Sequence, residues 1–312
     1  MRQRKMIMLR FAAGAVFALT ATLAAHDAWS DAPRPVTPSG TGFQAVYGQL
    51  PADQAEFLST ADSIKSAAAN GAPSLVWEVL EHGEKVECLD CIPAVAPLLY
   101  DSNDRTREIA AWWLRRRILG VFGPGEVYQQ TLQTLQNPSE TPVRRSYAAY
   151  ALGEFFATPG IAACATALAT DTDAGVRAAA ASALGRLNSD GAGALGAALL
   201  DRDPGVKLAA LRSATRINSF SGLANVAALT LDASVDVRRR AIETLDALDA
   251  KDAIIPVTAA AQNDADAGVR AEACHALGTF GDSSAIPVLE ALVASDPDTF
   301  VKDQALIALQ RL

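Results

Sequence analysis

The sequence is dominated by one motif that returns at a nearly fixed interval. In its clearest copy, Asp171 stands five residues before Val176 and six before Arg177, and a helical run with small residues on one side follows. Further copies have Val at positions 206, 237, 269 and 301, so the spacings from Val176 onward are 30, 31, 32 and 32 residues. An interval of this size indicates a solenoid, in which each unit packs only against its neighbours.

Two earlier copies of the motif are less regular. Asp101 precedes Thr106 and Arg107, so that Thr replaces Val at the anchor position. The segment from Asn137 to Arg145 fits the motif if one residue is inserted in the turn.

Each unit is predicted to be a pair of helices. Small or apolar residues follow the anchor at the fourth, seventh and eighth positions, as at Ala180, Ala183 and Leu184. This spacing predicts a helix with one narrow apolar face, which we call helix B. A second apolar run precedes each Asp, as in residues 285–292, and is called helix A. Small residues at the contacts allow the helices to approach to the short end of the usual ~8–10 Å.

These units resemble HEAT repeats, in particular the short form found in bilin-lyase-type bacterial proteins. That family has a Pro in helix A, an Asp in the turn and a Val-Arg pair that opens helix B. The pattern is matched fully or with one change by Pro256/Asp264/Val269/Arg270, Pro287/Asp296/Val301/Lys302 and Pro93/Asp101/Thr106/Arg107. The resemblance covers about residues 88–312 and implies an all-α fold, an α-solenoid. We expect a right-handed superhelix of about seven HEAT-like helix pairs with an irregular N-terminal helical cap.

The acidic and basic columns of the repeat are predicted to be structural. An Asp beside a helix start accepts backbone N–H bonds and suits the positive end of the helix dipole. A basic side chain six residues further on can reach the Asp of its own or the next repeat. The expected ladder comprises Asp101, Arg107, Asp171, Arg177, Asp201, Lys207, Asp232, Arg238, Asp264, Arg270, Asp296 and Lys302.

The chain is predicted to begin with a signal peptide at residues 1–30. A basic start is followed by an apolar run at 11–25, which is short for a membrane span and the right size for a secretory signal. Cleavage after Ala25 or Ser30 would make the protein periplasmic or secreted; an uncleaved anchor is the alternative. Residues 31–50 read as a flexible Pro/Gly linker, 51–87 as the helical cap and 88–312 as the solenoid.

Two helices are expected in the cap. One runs from Ala52 to a stop at Asn70, and the second opens at Ser74 and is closed by Gly83. Neither fits the repeat, as is usual for terminal units of a solenoid.

Charge excludes one class of partner. Without residues 1–30 the chain has 23 Lys and Arg against 34 Asp and Glu, a net charge of −11. An acidic chain without a clustered basic tract is a poor nucleic-acid binder. We therefore predict another protein as the partner, with no nucleic acid and no stable membrane span after signal cleavage.

Cys88 and Cys91 form the most specific local motif in the sequence. Zinc binding by four thiolates needs a second pair nearby, whereas Cys164 and Cys274 lie about two and five repeats further on. Attachment of a c-type haem needs a His at position 92, which is Ile. Three readings stay open: a disulfide that clips the entry to the first repeat, a redox-active pair, or two unbonded thiols.

The outward column of helix B holds the binding candidates. Trp112 with Arg115 and Arg116 at i+3 and i+4 would form a cation–π patch of the kind enriched in binding hot spots. The alternative is that Trp112 packs under Tyr100 or the loop at 123–125. The candidate binding residues are Trp112, Arg115, Arg116, Tyr150, Arg212 and His275.

No catalytic constellation is found in the sequence. Glu272 and His275 form one Glu-x-x-His pair, but a metal site needs a third donor, and no Gly-rich phosphate loop or Gly-x-Ser-x-Gly motif occurs. We predict no catalytic residue, no metal and no cofactor. The predicted function is an exported, non-catalytic scaffold or adaptor of the cell envelope that binds its partner on the helix-B surface. The alternative is a cofactor-handling, lyase-like role or a thiol-redox role of Cys88 and Cys91.

Overall fold

The positions of the helices follow from the repeat. The computed structural model describes residues 59–118 and 125–312. Within this part the protein has sixteen α-helices, short 3-10 turns and no strand. The predicted signal peptide, the linker and residues 51–58 of the predicted cap lie outside the described residues.

Seven helix pairs, repeats 1–7, follow a two-helix cap, as predicted. The cap helices are α1 (Ala61–Asn70) and α2 (Pro73–His82). The A helices are α3 (Ile92–Val95, continued by a 3-10 turn at Ala96–Tyr100), α5 (Glu126–Gln136), α7 (Gly160–Thr170), α9 (Ala194–Ala198), α11 (Leu223–Ala228), α13 (Ile254–Asn263) and α15 (Ile286–Ser295). The B helices are α4 (Asp104–Ile118), α6 (Pro142–Glu154), α8 (Ala174–Arg186), α10 (Pro204–Ala214), α12 (Val235–Ala247), α14 (Ala267–Phe280) and α16 (Thr299–Leu309).

The first cap helix begins later than the sequence pattern predicts. One continuous helix from Ala52 to Asn70 is wrong, because Thr60 has an extended backbone and caps helix α1. The Thr60 hydroxyl accepts the Ser63 N–H at 3.2 Å, and the Ser63 hydroxyl accepts the Thr60 N–H at 2.8 Å. This reciprocal capping box fixes the helix start at Ala61.

The B helices pack closely against one another. Successive B helices contact each other more extensively than successive A helices do. A Cβ atom on Gly153 would lie 2.8 Å from Cα of Ala183, and one on Gly278 would lie 2.8 Å from Cα of Ala308. Glycine is therefore required at both contacts. The anchor side chains complete this core and are fully buried in every regular copy: Val176, Val206, Val237, Val269 and Val301.

Two acidic residues have separate roles in the turns of repeats 3, 4, 6 and 7. Asp171 follows helix α7, and its carboxylate accepts the N–H of Asp173 at 2.9 Å. Asp173 then caps helix α8 by accepting the Val176 N–H at 3.1 Å. The helix cap is thus a second residue, which leaves the first Asp available to the neighbouring repeat. The same capping role belongs to Asp203, Asp266 and Asp298.

The basic column joins each repeat to the next. Arg177 donates from Nη1 to the backbone carbonyl of Asp171 at 3.0 Å. Its Nε and Nη2 donate to the two carboxylate oxygens of Asp201, one repeat further on, at 2.7 and 2.9 Å. The ion pairs of this ladder are Arg145–Asp171, Arg177–Asp201, Lys207–Asp232, Arg238–Asp264 and Arg270–Asp296, with N···O distances of 2.5–2.8 Å.

The ladder differs from the predicted set at both ends. Arg145 belongs to it, although the inserted residue in its turn kept it out of the regular pattern. Arg107 reaches only the Asp of its own repeat, because its Nη1 donates to the backbone carbonyl of Asp101 at 2.7 Å. Asp101, Arg107 and Lys302 make no inter-repeat ion pair among the described residues. The position that would receive Arg107 is occupied by the neutral Asn137.

Aromatic stacking replaces the ion pair between repeats 1 and 2. The Arg107 guanidinium lies 4.0 Å from the ring centroid of Tyr147. In return, the Arg144 guanidinium lies 4.2 Å from the ring centroid of Tyr100. This reciprocal cation–π pair holds the two repeats where the acidic partner is missing.

The ladder pairs are buried ion pairs. The side chains of Arg238 and Asp264 are 14% and 6% exposed. Hydrogen bonds from the guanidinium groups of Arg177 and Arg270 hold the pKa values of Asp201 and Asp296 below their ordinary value. Removing one partner of a buried pair leaves an uncompensated charge and costs about 3–5 kcal/mol.

We expect Arg238→Ala to lower the free energy of unfolding by about 3 kcal/mol, because Asp264 keeps its burial and loses its counter-ion. The neighbouring Arg239→Ala is the matched control: Arg239 is 50% exposed, pairs with Asp236 and Glu243 on its own helix, and should cost about 0.5 kcal/mol. Chemical denaturation of both variants measures the difference. Equal losses would show that the ladder contributes no more than a surface ion pair.

Candidate protein-binding surface

The predicted stacking of arginine on Trp112 is not formed. Trp112 is half-buried and packs against the core from helix α4. The Arg115 guanidinium instead lies 5.0 Å from the ring centroid of Phe156. The Arg116 guanidinium lies 3.9 Å from the carboxylate of Glu84 in the loop after the cap. The predicted stacking on Trp112 is therefore wrong, because Arg115 stacks on Phe156 instead. The binding role of Trp112 stays a prediction.

Phe156 is a candidate binding residue that the sequence patterns missed. It follows helix α6 with a left-handed φ of 52° and is 51% exposed. The other B helices that end this way have Asn188, Asp249 and Gly281 at the left-handed position. This conformation suits Gly, Asn and Asp and costs a bulky residue roughly 1–2 kcal/mol. A strained, exposed aromatic residue is an observation that points to function. The only signal in the sequence is the Phe155-Phe156 pair where a polar turn residue is expected.

Tyr150 of helix α6 lies in a cluster of hydrogen bonds and ion pairs with helix α8. Arg186 of helix α8 donates to the Tyr150 hydroxyl at 3.3 Å, and its guanidinium lies 5.1 Å from the Tyr150 ring centroid. The same guanidinium is 2.5 Å from Glu154, whose side chain is 8% exposed. Burial raises the pKa of Glu154 and Arg186 opposes that shift; burial also raises the pKa of Tyr150 to about 12. The cluster fixes the half-buried Tyr150 ring between repeats 2 and 3.

Two further arginines extend the surface into repeat 4. Arg212 and Arg216 are exposed at the end of helix α10, and neither makes an ion pair with a described residue. We call the whole region the arginine–aromatic surface. It consists of Trp112, Arg115, Arg116, Tyr150, Phe156, Arg186, Arg212 and Arg216.

His275 does not belong to this surface. His275 occupies the same outward position on its B helix as Trp112 and Arg212 do on theirs, but it lies in repeat 6. Its Nε2 is 3.6 Å from the Asp246 carboxylate. Glu243 and Glu272 lie near the same position, and burial raises the pKa of Glu272. The B surface is thus aromatic and basic over repeats 1–4, whereas in repeats 5 and 6 it carries carboxylates, of which Glu243 is paired with Arg239 and Arg240.

Cys88 and Cys91 are joined as a disulfide at the start of repeat 1. Cys91 is buried, and the loop before the disulfide is clamped by Arg117, which donates to the carbonyls of Glu84 at 2.5 Å and Val86 at 2.9 Å. Burial, reinforced by the charge of Arg116, lowers the pKa of Arg117 to about 10. The disulfide therefore lies in a fixed loop, as a structural clip requires.

The remaining cysteines are core residues. Cys164 and Cys274 are buried within helices α7 and α14, and burial raises the pKa of each thiol to about 12. Over residues 59–118 and 125–312, no group of three or more His, Cys, Asp or Glu side chains is placed to hold a metal ion. In the same ranges, none of the helices has the length and apolar composition needed to cross a membrane.

Comparison with known proteins identifies the repeats. The family model described as HEAT repeats matches residues 128–215 and 222–310, more than half of the chain. The structure is similar to that of YibA from Escherichia coli, with a TM-score of 0.54 and 18% identity over 83% of this chain and 95% of that one. A search by sequence among curated proteins finds no match.

Two other solved structures are also similar. Kap95p, which binds RanGDP, has a TM-score of 0.51 and 13% identity over 80% of this chain and 43% of that one. The CpcE–CpcF complex of phycocyanin lyase from Nostoc has a TM-score of 0.39 and 20% identity over 70% of this chain and 86% of that one. At these identities the YibA and Kap95p likenesses show the fold alone, and the CpcE–CpcF score supports no inference about activity.

Replacing both Cys88 and Cys91 by Ser should lower the free energy of unfolding by roughly 2 kcal/mol, the chain-entropy value for so short a loop. Denaturation of the wild type with and without a reductant measures the same quantity, since the reduced wild type should match the double variant. A reductant that leaves the stability of the wild type unchanged would contradict the structural role. The double variant is its own control, because a reductant should not affect it.

Proposed function

Since the chain belongs to the HEAT-repeat family and forms a helical scaffold, we propose that it is a non-catalytic, protein-binding adaptor. It works in the cell envelope after export and takes its partner on the arginine–aromatic surface of the B helices. The proposal of export rests on the composition of residues 1–30, which resemble a secretory signal.

The strained exposure of Phe156 under Arg115 carries this proposal. An apolar ring that is 51% exposed in a left-handed conformation reduces the stability of the free chain. Tryptophan, tyrosine and arginine are the residues most enriched in binding hot spots. Arg115 stacks on the ring, Trp112 lies on the same helix as Arg115, and Tyr150 lies on the helix that Phe156 follows. Burial of this ring against a partner would stabilise the complex, because the isolated chain leaves the ring exposed to water.

The extent of the surface favours a protein over a small molecule. It is contributed by helices α4, α6, α8 and α10, so it spans repeats 1–4. Small-molecule sites are enclosed pockets, whereas solenoids bind along extended faces. The ladder and the glycine contacts hold these helices in fixed positions, which reduces the entropy lost on binding.

The polar cluster on the surface supports a non-catalytic role. Glu154 has a raised pKa, which is a property of some catalytic acids. Its carboxylate is, however, paired with Arg186 at 2.5 Å and is nearly buried, so a substrate has little access to it. The cluster therefore has a structural role, which is to hold the Tyr150 side chain in position.

One observation favours the second candidate, a thiol-redox role: Cys88 and Cys91 do form a disulfide. Exchange requires a thiolate to reach a sulfur atom. Cys91 is fully buried and Cys88 is half-buried in the clamped loop. The arrangement supports a structural clip better than an exchanging pair.

The proposal is tested by purifying a tagged full chain from the native envelope fraction, together with two variants. We expect a stoichiometric partner with the wild type and its loss in Trp112→Ala/Arg116→Ala and in Phe156→Asn. Phe156→Asn should melt at an unchanged or higher temperature, because relief of about 1 kcal/mol of backbone strain offsets the lost cation–π contact.

Phe300→Asn is the matched control, because Phe300 is 57% exposed at the start of helix α16, away from the surface. It should retain the partner. A partner that both Phe156→Asn and the double variant retain at wild-type levels would contradict the proposal. Loss of the partner together with a lowered melting temperature in Phe156→Asn would also count against it, since misfolding would then explain the loss.

A further inference from the structure

We infer that the partner docks on the arginine–aromatic surface through an extended acidic segment that also carries apolar side chains. This inference rests on the proposed function and specifies the chemistry of the partner. It is carried by exposed arginines on this surface that have no carboxylate partner among the described residues.

The surface is basic although the chain is acidic. The whole chain has a net charge of −8. Of the arginines on the surface, Arg186 is paired with Glu154 and Arg116 lies 3.9 Å from Glu84. Arg212 and Arg216 are exposed and have no carboxylate partner among the described residues. Their charges are therefore available to an acidic ligand.

The helix dipole does not explain these arginines. Cations near a helix C-terminus stabilise its last carbonyl groups, and this applies equally to every B helix. Basic residues occupy the last turn of helices α4, α8 and α10. The last turns of α6, α12, α14 and α16 contain none. The basic positions are thus confined to the half of the solenoid that also exposes Phe156.

The unpaired arginines lie close together at one end of repeat 4. Arg212 lies in the last turn of helix α10, and Arg216 lies in the turn that follows Ala214, where its N–H donates to the Ser213 carbonyl at 3.0 Å. In an extended chain, residues i and i+2 lie on one face about 6.6 Å apart. Carboxylates at alternate positions of such a chain can therefore meet two neighbouring guanidinium groups, which bind carboxylates through paired hydrogen bonds.

The aromatic rings and the neighbouring charges determine where the segment lies on the B surface. The rings of Trp112, Tyr150 and Phe156 offer apolar contact to its hydrophobic side chains. Beyond Arg216, the exposed arginines of helix α12 already have a carboxylate partner, since Arg239 and Arg240 lie 3.7 and 2.7 Å from Glu243. We therefore place the acidic segment on repeats 1–4.

The inference is tested by fluorescence anisotropy with two labelled peptides on the full chain at low salt. One is a short peptide of Glu and Phe; the other has Gln in place of every Glu. We expect the Glu peptide to bind and the Gln peptide to bind roughly tenfold more weakly. Added salt should weaken binding of the Glu peptide, because the charges are exposed.

Arg212→Glu/Arg216→Glu should weaken binding of the Glu peptide by at least about tenfold. Both side chains are exposed and unpaired, so the variant should fold normally. Lys65→Glu/Lys251→Glu makes the same change in net charge at exposed or partly exposed positions of the cap and of repeat 6, and should bind like the wild type. Equal losses in the two double variants, or no binding of the Glu peptide, would overturn the inference.

Other outcomes separate this inference from the proposed function. If the Gln peptide binds as well as the Glu peptide and both require Phe156, the surface binds protein but does not select for acidic charge. Stronger binding of a single-stranded oligonucleotide at the same arginines would also overturn the inference. A concentration-dependent dimer that Arg212→Glu/Arg216→Glu abolishes would do so as well, because a second copy would then cover the surface.

Discussion

The ion pair between the basic residue of one repeat and the Asp of the next is the interaction on which the structure depends. Arg177 binds the backbone of its own turn and the carboxylate of Asp201, so one side chain fixes two turns relative to each other. Buried ion pairs contribute little net stability compared with apolar contacts, but they are specific in geometry. Here that geometry sets the spacing at which the B helices meet through contacts such as Gly153 on Ala183.

The periodic part of this architecture could be predicted from the sequence, because each repeat encodes the same two helices and the same turn. The spacing from Val176 onward gives the helix pairs and the order of the ladder residues. Arg145 was missed because an inserted residue shifts its turn. Phe156 was missed because a sequence predicts a left-handed backbone only at Gly, Asn or Asp. The partner of Arg115 depends on that same turn, so the expected contact with Trp112 was wrong.

The two halves of the solenoid differ in how their repeats are joined and in what they expose. Repeats 2–7 are joined by ion pairs, whereas repeats 1 and 2 are joined by the stacking of Arg107 on Tyr147 and of Arg144 on Tyr100. The same N-terminal half carries the arginine–aromatic surface. Its first repeat is further fixed by the disulfide and by the clamp of Arg117. This half is therefore built as a rigid platform for arginine and aromatic side chains.

Hydrogen exchange of the wild type and Arg238→Ala tests most directly whether the ladder couples neighbouring repeats. If it does, protection in the wild type should continue from helix α5 to helix α16 without a break between repeats. In Arg238→Ala, the turn between α13 and α14 and the first turn of α14 should lose protection, while α6 and α8 keep theirs. Exchange that is unchanged at this junction, or that rises evenly along the whole solenoid, would contradict the ladder as the coupling between repeats.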